Sequence, residues 1–414
     1  MGATVKASPA NFAADNGENG AGKVSVLNLA QNHDVHHQNA HTRGDPTMFG
    51  AYWEKMSEKG TITFTGAQSM SYYSNTKSIC WFLEPELERE IRRLHGVVGN
   101  TVEEEHYVVV GTGSSQLIQA ALYALSPPDA DLPVNVVCAA PYYSSYPEVA
   151  DIVRSRSYKW GGDARSYDRD EPYIELVTTP NNPDGAIREP VVNKPQGTVI
   201  HDLAYYWPNY TAISSAANHD LMLFTFSKCT GHAGSRIGWA LVRDKEVAKK
   251  MIKYMEVSTI GVSKDSQLRA AKILGVVSDS CCSHGAEEGF EDEDEEEDFF
   301  SFSRNILKER WQRLSQLVKA SNLFTLQKYP TQYCRFAKDM TDTLPAFAWI
   351  RMTSNEGGMD CAELLKEQRI LARSGTRFGV DNKFARVSMV STDQEFNTFL
   401  QRLAIIQGTN PIYI

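Results

Sequence analysis

No run of residues in this chain is apolar for long enough to span a bilayer, so no membrane partner is expected. The opening residues, MGATVKASPANFAADNGENGAGK, hold no apolar core of the kind a secretory leader needs, so no signal peptide is expected. A myristoylation pattern fails as well, because Lys6 stands where Ser or Thr is required. Basic charge is also in short supply. The formal net charge is −9, and a nucleic-acid binder needs basic faces, so no nucleic-acid partner is expected. The seven cysteines are an odd number without metal-type spacing; Cys281 and Cys282 are adjacent and the rest are scattered. They read as reduced thiols, no metal site is expected, and the expected location is cytoplasmic.

What is present is sufficient for a large globular protein. A chain of 414 residues with 42% hydrophobic and 22% charged residues is too long for one small core and suits two domains around one site. Its acidity is local: Glu287, Glu288 and the run Glu291 to Asp298 supply ten acidic groups, and the remainder is close to neutral. That block reads as a solvated, mobile loop rather than a docking tail, with no catalytic duty. Residues 1–22 are rich in Ala, Gly and Asn and read as disordered. His33, His36, His37 and His41 follow. They would converge on a metal only if the stretch were helical, and a solvated polar loop is the preferred reading.

From Tyr107 onward, short β-rich runs alternate with helical ones, the signature of a parallel sheet with crossover helices. The runs are 107–110, 134–140, 173–179, 198–202, 221–226 and 237–242, and most are continuously apolar, as strands buried on both faces should be. Helical patterns occupy 114–125 and 244–255. After the acidic block a helical stretch leads to strand-like runs at 346–350 and 384–390, which predicts a second, smaller α+β domain.

Five segments carry chemistry. In FTFSKCTGHAGSRIGWA (224–240), Lys228 stands just after a buried strand, where a low dielectric keeps an amine neutral enough to condense with an aldehyde. Arg236, eight residues on, can pair with a phosphate; the alternative is a surface Lys and a structural Arg. In HDLAYY (201–206), Asp202 ends a strand and projects into the crevice where open α/β sheets bind ligands. A carboxylate there keeps a pyridine nitrogen protonated; the alternative is a helix cap. Tyr205, three residues later, can hydrogen-bond a ring hydroxyl oxygen, and Asn182 in TTPNNPDG can donate to the same atom. In GTGSSQL, the backbone N–H groups of Gly113, Ser114 and Ser115 would open a helix toward a phosphate, although an ordinary cap also uses Ser. The loop lacks the lysine of a nucleotide triphosphatase. In PYYSSYPE, Tyr143 can stack on a planar ring or simply belong to the core.

Together these segments resemble fold-type I, pyridoxal-phosphate-dependent aminotransferases. Longer strings, MSYYSNTKSICWFLEPELE (70–88), YIELVTTPNNPDGAIREPVVN (173–193) and DLMLFTFSKCTGHAGSRIGWALV (220–242), are similar to the plant tryptophan aminotransferases of auxin synthesis, which group with alliinase. The resemblance implies an α/β, aspartate-aminotransferase-like fold with pyridoxal 5′-phosphate as cofactor. The expected organisation is an N-terminal segment 23–80 joining the small domain, a large cofactor-binding domain 81–278, an acidic insertion 279–300 and a small C-terminal domain 301–414.

The same resemblance implies that Lys228 carries the cofactor as a Schiff base and that Asp202 pairs with the pyridine nitrogen. Asn182 and Tyr205 would hold the ring oxygen. Ser114, Ser115, Thr225 and Arg236 would hold the phosphate, with Ser227 in the same contact motif. Tyr72 would reach the phosphate from the partner subunit of a homodimer, and Arg386 would grip the substrate α-carboxylate, unless it is a strand Arg facing solvent. The implied reaction converts L-tryptophan and a 2-oxo acid to indole-3-pyruvate and an amino acid. Two alternatives stand beside it: an alliinase-like lyase of cysteine sulfoxides, and an inactive homologue acting as a binding protein. Three departures from the family pattern are the His-rich stretch before GDPT (44–47), the acidic block, and the lack of alliinase's Cys-rich module.

Overall fold

A computed structural model describes residues 27–28, 46–129, 131–283, 297–353 and 358–408. The N-terminal stretch 1–22 and the His-rich stretch 33–41 lie outside the described residues. Of the acidic block only Glu297 and Asp298 lie within them. Asp298 departs from the solvated-loop expectation. It is buried and caps the following helix, accepting from the backbone N–H groups of Phe300 and Ser301.

Seven strands form the larger sheet: β1 (Tyr107–Gly111), β2 (Val134–Cys138), β3 (Tyr158–Asp163), β4 (Tyr173–Thr178), β5 (Gly197–Asp202), β6 (Leu221–Thr225) and β7 (Gly238–Val242). Their order across the sheet is β1-β7-β6-β5-β4-β2-β3. The sheet is mixed. β7 runs antiparallel to both of its neighbours, and all other pairs are parallel. β3 had not been expected. It lies at the sheet edge, only Tyr158 of its six residues is buried, and Gly161 and Gly162 interrupt any apolar run.

The helices flanking this sheet follow their apolar spacing. In α1 (Pro85–Val98), Leu87, Ile91, Leu94 and Val98 fall on one buried face, and Gly99 ends the helix in the left-handed region at φ 68°. α1 packs on α5 (Lys264–Ser283), and α2 (Gly113–Leu125) packs on α4 (Lys245–Thr259). α4 starts at Asp244, whose side chain accepts from the N–H groups of Glu246 and Val247. A buried aromatic group at the centre of the core combines His95, Trp207, Phe224 and Trp239. Trp239 Nε1 donates to His95 Nε2 at 2.9 Å, which leaves Nδ1 protonated to donate to Asn100 Oδ1 at 2.8 Å.

The C-terminal part builds a second, antiparallel sheet. Its strands are β8 (Phe324–Leu326), β9 (Phe347–Met352), β10 (Arg373–Ser374) and β11 (Phe384–Ser388), in the order β10-β11-β9-β8. α6 (Phe299–Lys319) and α7 (Asp393–Ile406) accompany it, the latter opened by a capping box between Thr392 and Glu395. Leu27–Asn28 pairs in parallel with Ile370–Leu371, so the N-terminal region meets the C-terminal part.

Candidate active site

Six of the seven strands of the larger sheet share a direction, so their carboxyl ends line one edge, where open α/β sheets receive ligands. β4, β5 and β6 end there in Thr178, Asp202 and Thr225. The start of the reversed β7 lies at the same edge and presses on the opening of α2. A Cβ added at Gly238 would stand 2.9 Å from Ser114 N.

Asp202 is 5% exposed. Its Oδ2 accepts from the Tyr146 hydroxyl at 2.7 Å and its Oδ1 from the Ala204 N–H at 3.2 Å. Burial pushes its pKa up, and the two hydrogen bonds oppose that rise. Asp202 therefore shapes the turn after β5 and presents a buried carboxylate at the sheet edge; among the described residues no helix stands between β5 and β6, so the helix-cap alternative is not met.

The turn after β4 is locked by its own side chains. Asn181 Nδ2 donates to the Pro141 carbonyl at 2.9 Å and to Asp184 Oδ1 at 2.7 Å, and Arg188 pairs with Asp184 at 2.8 Å. Gly185, at φ 66°, permits Pro345 to approach so closely that a Cβ would meet its Cγ at 2.1 Å. So held, Asn182 accepts from Arg386 Nη1 at 2.8 Å through Oδ1.

Arg386 is fully buried, which overturns the reading of a solvent-facing strand arginine. Its guanidinium carbon lies 4.2 Å from the centre of the Phe347 ring and 5.1 Å from that of Phe378. Among the described residues Nε and Nη2 have no hydrogen-bond partner. Burial first, and then the charge of Arg373, lower its pKa to about 9. Two buried guanidinium donors without an acceptor suit an incoming carboxylate.

Lys228 sits in a single helical turn, α3 (Phe226–Cys229), directly after β6. Thr225 caps that turn, its Oγ1 accepting from the Ser227 N–H at 3.3 Å. The Tyr210 hydroxyl donates to the Lys228 carbonyl at 3.1 Å and fixes its backbone. Tyr210 meets Tyr205 edge-on at 5.4 Å, and Tyr205 meets Phe347, the ring under Arg386, at 5.7 Å. A chain of contacts thus runs from Lys228 through Tyr205 to Arg386 and Asn182.

Gly113 opens α2 at φ 75°, and a Cβ there would lie 2.5 Å from Arg236 Nη2, so the guanidinium rests on the loop backbone. Ser114 and Ser115 are half-buried in the first turn of α2. Arg236 itself is left-handed at φ 54°, with Nη1 donating to the Ala233 carbonyl at 2.9 Å. A helix N-terminus beside a guanidinium is an anion cradle. Tyr143 lies edge-on to Tyr146 at 5.3 Å and feels the charges of Arg386 and Arg373. Tyr72 stands in an exposed loop, 68% accessible.

The sequence reading missed Tyr146, Phe347, Phe378 and Arg373. Each owes its place to a long-range packing partner, for which local spacing carries no signal.

The allinase family model matches residues 39–407. Tryptophan aminotransferase-related protein 2 of Arabidopsis thaliana is 53% identical over 361 residues, covering 87% of this chain and 79% of that protein. Tryptophan aminotransferase-related protein 1 of Oryza sativa subsp. japonica is 50% identical, covering 97% of this chain and 88% of its own length. Alliin lyase 1 of Allium sativum is 34% identical over 87% of this chain and 73% of its own length. Among solved structures, the aspartate aminotransferase of Thermus thermophilus with maleate superposes with a TM-score of 0.57 at 18% identity, covering 87% of this chain and 88% of its own, a likeness of fold alone. The fold is the aspartate-aminotransferase-like, fold-type I architecture, and the chain belongs to the allinase family.

Proposed function

We propose that this protein is a pyridoxal-phosphate-dependent aminotransferase that passes the amino group of L-tryptophan to a 2-oxo acid, pyruvate or 2-oxoglutarate, and releases indole-3-pyruvate for auxin synthesis. The observation that carries the reading is the buried Asp202 carboxylate, hydrogen-bonded by the Tyr146 hydroxyl and the Ala204 N–H, at the edge that also holds Lys228. Such a carboxylate complements a protonated pyridine nitrogen. The preference for tryptophan rests on relatives at 50–53% identity that bear tryptophan aminotransferase-related names.

Pyridoxal phosphate, when bound, supplies an electron sink for the pair left behind as the substrate Cα–H bond breaks. Asp202 would hold the proton on the ring nitrogen, with Tyr146 and the Ala204 N–H favouring its charged form. Asn182, through its amide nitrogen, and Tyr205 would hold the ring oxygen, and Tyr143 would stack on the ring. Ser114, Ser115, Thr225, Ser227 and Arg236 would hold the phosphate. Lys228 Nζ would anchor the cofactor and then take the Cα proton as general base. Arg386 would receive the α-carboxylate on its two free donors and so set the Cα–H bond toward Lys228.

A homodimer is part of the proposal. Met70, Tyr72, Tyr73, Val257 and Ile260 are exposed apolar side chains. Their segments are tied together by Ser69 donating to Asp265 at 2.6 Å and Lys264 donating to the Tyr73 carbonyl at 2.8 Å. A second copy covering this face would bring its Tyr72 to the phosphate.

The deciding experiment follows the absorbance of the cofactor-loaded protein on adding L-tryptophan without an acceptor. Conversion of the visible band to the amine form of the cofactor, reversed by pyruvate, is the expected result. Pyruvate and ammonia released from a cysteine sulfoxide, with no such conversion, would instead support a lyase, the reading favoured by relatives named alliin lyase at 34–35% identity. A purified protein that takes up no cofactor would return the inactive homologue to the fore.

A further inference from the structure

We propose that Arg373 is a positioning residue for the carboxylate end of the substrate pocket, fastening the loop that carries Tyr143 to the small sheet and setting a second positive charge beside Arg386. The inference rests on the role proposed above for Arg386.

Arg373 and Arg386 are direct partners across β10 and β11, so their side chains leave the same face of the sheet. Arg373 is 6% exposed and Arg386 fully buried. Like charges directly opposite one another destabilise a sheet, and burying two of them costs more. The arrangement suits a pocket completed by an anion. Arg386 has two donors ready for one, and the charge of Arg373 adds to the attraction.

Arg373 also reaches across to the larger sheet. Its Nη1 donates to Ser144 Oγ at 3.0 Å, next to Tyr143. Two further contacts fasten the same loop to the segment after β10. The Tyr142 N–H donates to the Phe378 carbonyl at 3.1 Å, and the Tyr142 ring covers Gly379, where a Cβ would meet it at 2.5 Å. Phe378 in turn lies against Arg386. Loop, clasp and carboxylate-reading guanidinium therefore form one packed unit. Loss of the clasp would let Tyr143 and Arg386 shift relative to each other.

The test compares two ligands of the cofactor-loaded enzyme. Indole-3-propionate carries the carboxylate but no amine, and tryptamine carries the amine but no carboxylate. In R373Q the affinity for indole-3-propionate should fall about tenfold or more, the scale of a lost charge-assisted contact, while tryptamine stays within about twofold. R373K should recover part of the loss, and S144A should show a smaller loss of the same selectivity. Equal weakening of both ligands in R373Q would mark a merely structural arginine and overturn the proposal, as would no change in either. Should R373Q fail to fold, R373K and S144A decide, and unchanged carboxylate selectivity in both overturns it. A wild-type enzyme that transaminates no amino acid would defeat the proposed function instead, whereas an active wild type with unaltered R373Q selectivity defeats only this inference.

Discussion

Tyr146 gives Asp202 one of its two hydrogen bonds, and that bond favours the charged form of a carboxylate whose burial favours the neutral one. Removing it in Y146F should raise the Asp202 pKa further. A bond to a charged group contributes about 1.5–3 kcal/mol, so the acid limb of the kcat/KM profile should move upward by about one to two pH units. A pH–rate profile of the variant checks both sign and size, and an unmoved acid limb would remove Asp202 from the proton inventory. Lys228→Ala should abolish both the visible cofactor band shift and turnover. Arg386→Gln should raise KM for amino acid and oxo acid by about tenfold or more while the cofactor stays bound, as equilibrium dialysis and steady-state kinetics would report.

At the scale of elements, the opening of α2 is held close against the Arg236 guanidinium. Gly113→Ala forces a Cβ into a left-handed position against Arg236. A cost of about 1–2 kcal/mol in stability is expected from the backbone alone, with weaker cofactor retention on dilution. The link from α1 to β7 through His95 predicts acid sensitivity. Burial lowers the His95 pKa from the ordinary 6.5 to about 4. Its neutral form is the folded form, so the stabilisation is complete above pH 6.5 and is lost as pH falls toward 4. The share of His95 is about 3 kcal/mol, measured as the difference in urea stability between pH 7 and pH 4 for wild type and H95Q. His201 and His232, lowered to about 3 and about 4, add to the slope in both proteins and cancel in the comparison.

These elements also show what the sequence could reveal. Asp202, Lys228 and Asn182 were legible because Asp202 ends a strand-like run and Lys228 and Asn182 follow such runs within a few residues, and the carboxyl end of a strand is where an open sheet receives ligands. Strand direction was not legible. GWALV is as apolar as the two strands beside it, yet it runs opposite to both, because burial on both faces looks the same in either direction. β3 escaped notice as a half-exposed edge strand. Tyr146 and Arg373 became visible only once loops and strands far apart in sequence were packed together. Asp298 was hidden inside a charge run that suggested solvent.

The whole molecule supplies the last prediction. If Tyr72 completes the site of a partner copy, Y72F and K228A chains fail for different reasons, and a mixed dimer contains one intact site. Random mixing makes half of the dimers mixed, so about a quarter of wild-type activity should return after the two inactive proteins are unfolded and refolded together. No recovery, with dimers present by sedimentation, would keep Tyr72 within its own chain.

The reversed strand also bears on the order in which the pocket assembles. β6 and β7 are neighbours in sequence as well as in the sheet, joined through α3 and the glycine-rich turn. Closing so short a loop costs far less chain entropy than a crossover, and contacts of small sequence separation form soonest. Lys228 and Arg236 would therefore become neighbours early in collapse, by a local event. Asp202 would join when β5 docks beside β6. Arg386 would come last, because it waits for the C-terminal sheet, so a chain halted before that step would be expected to hold a cofactor cradle before it can read a substrate.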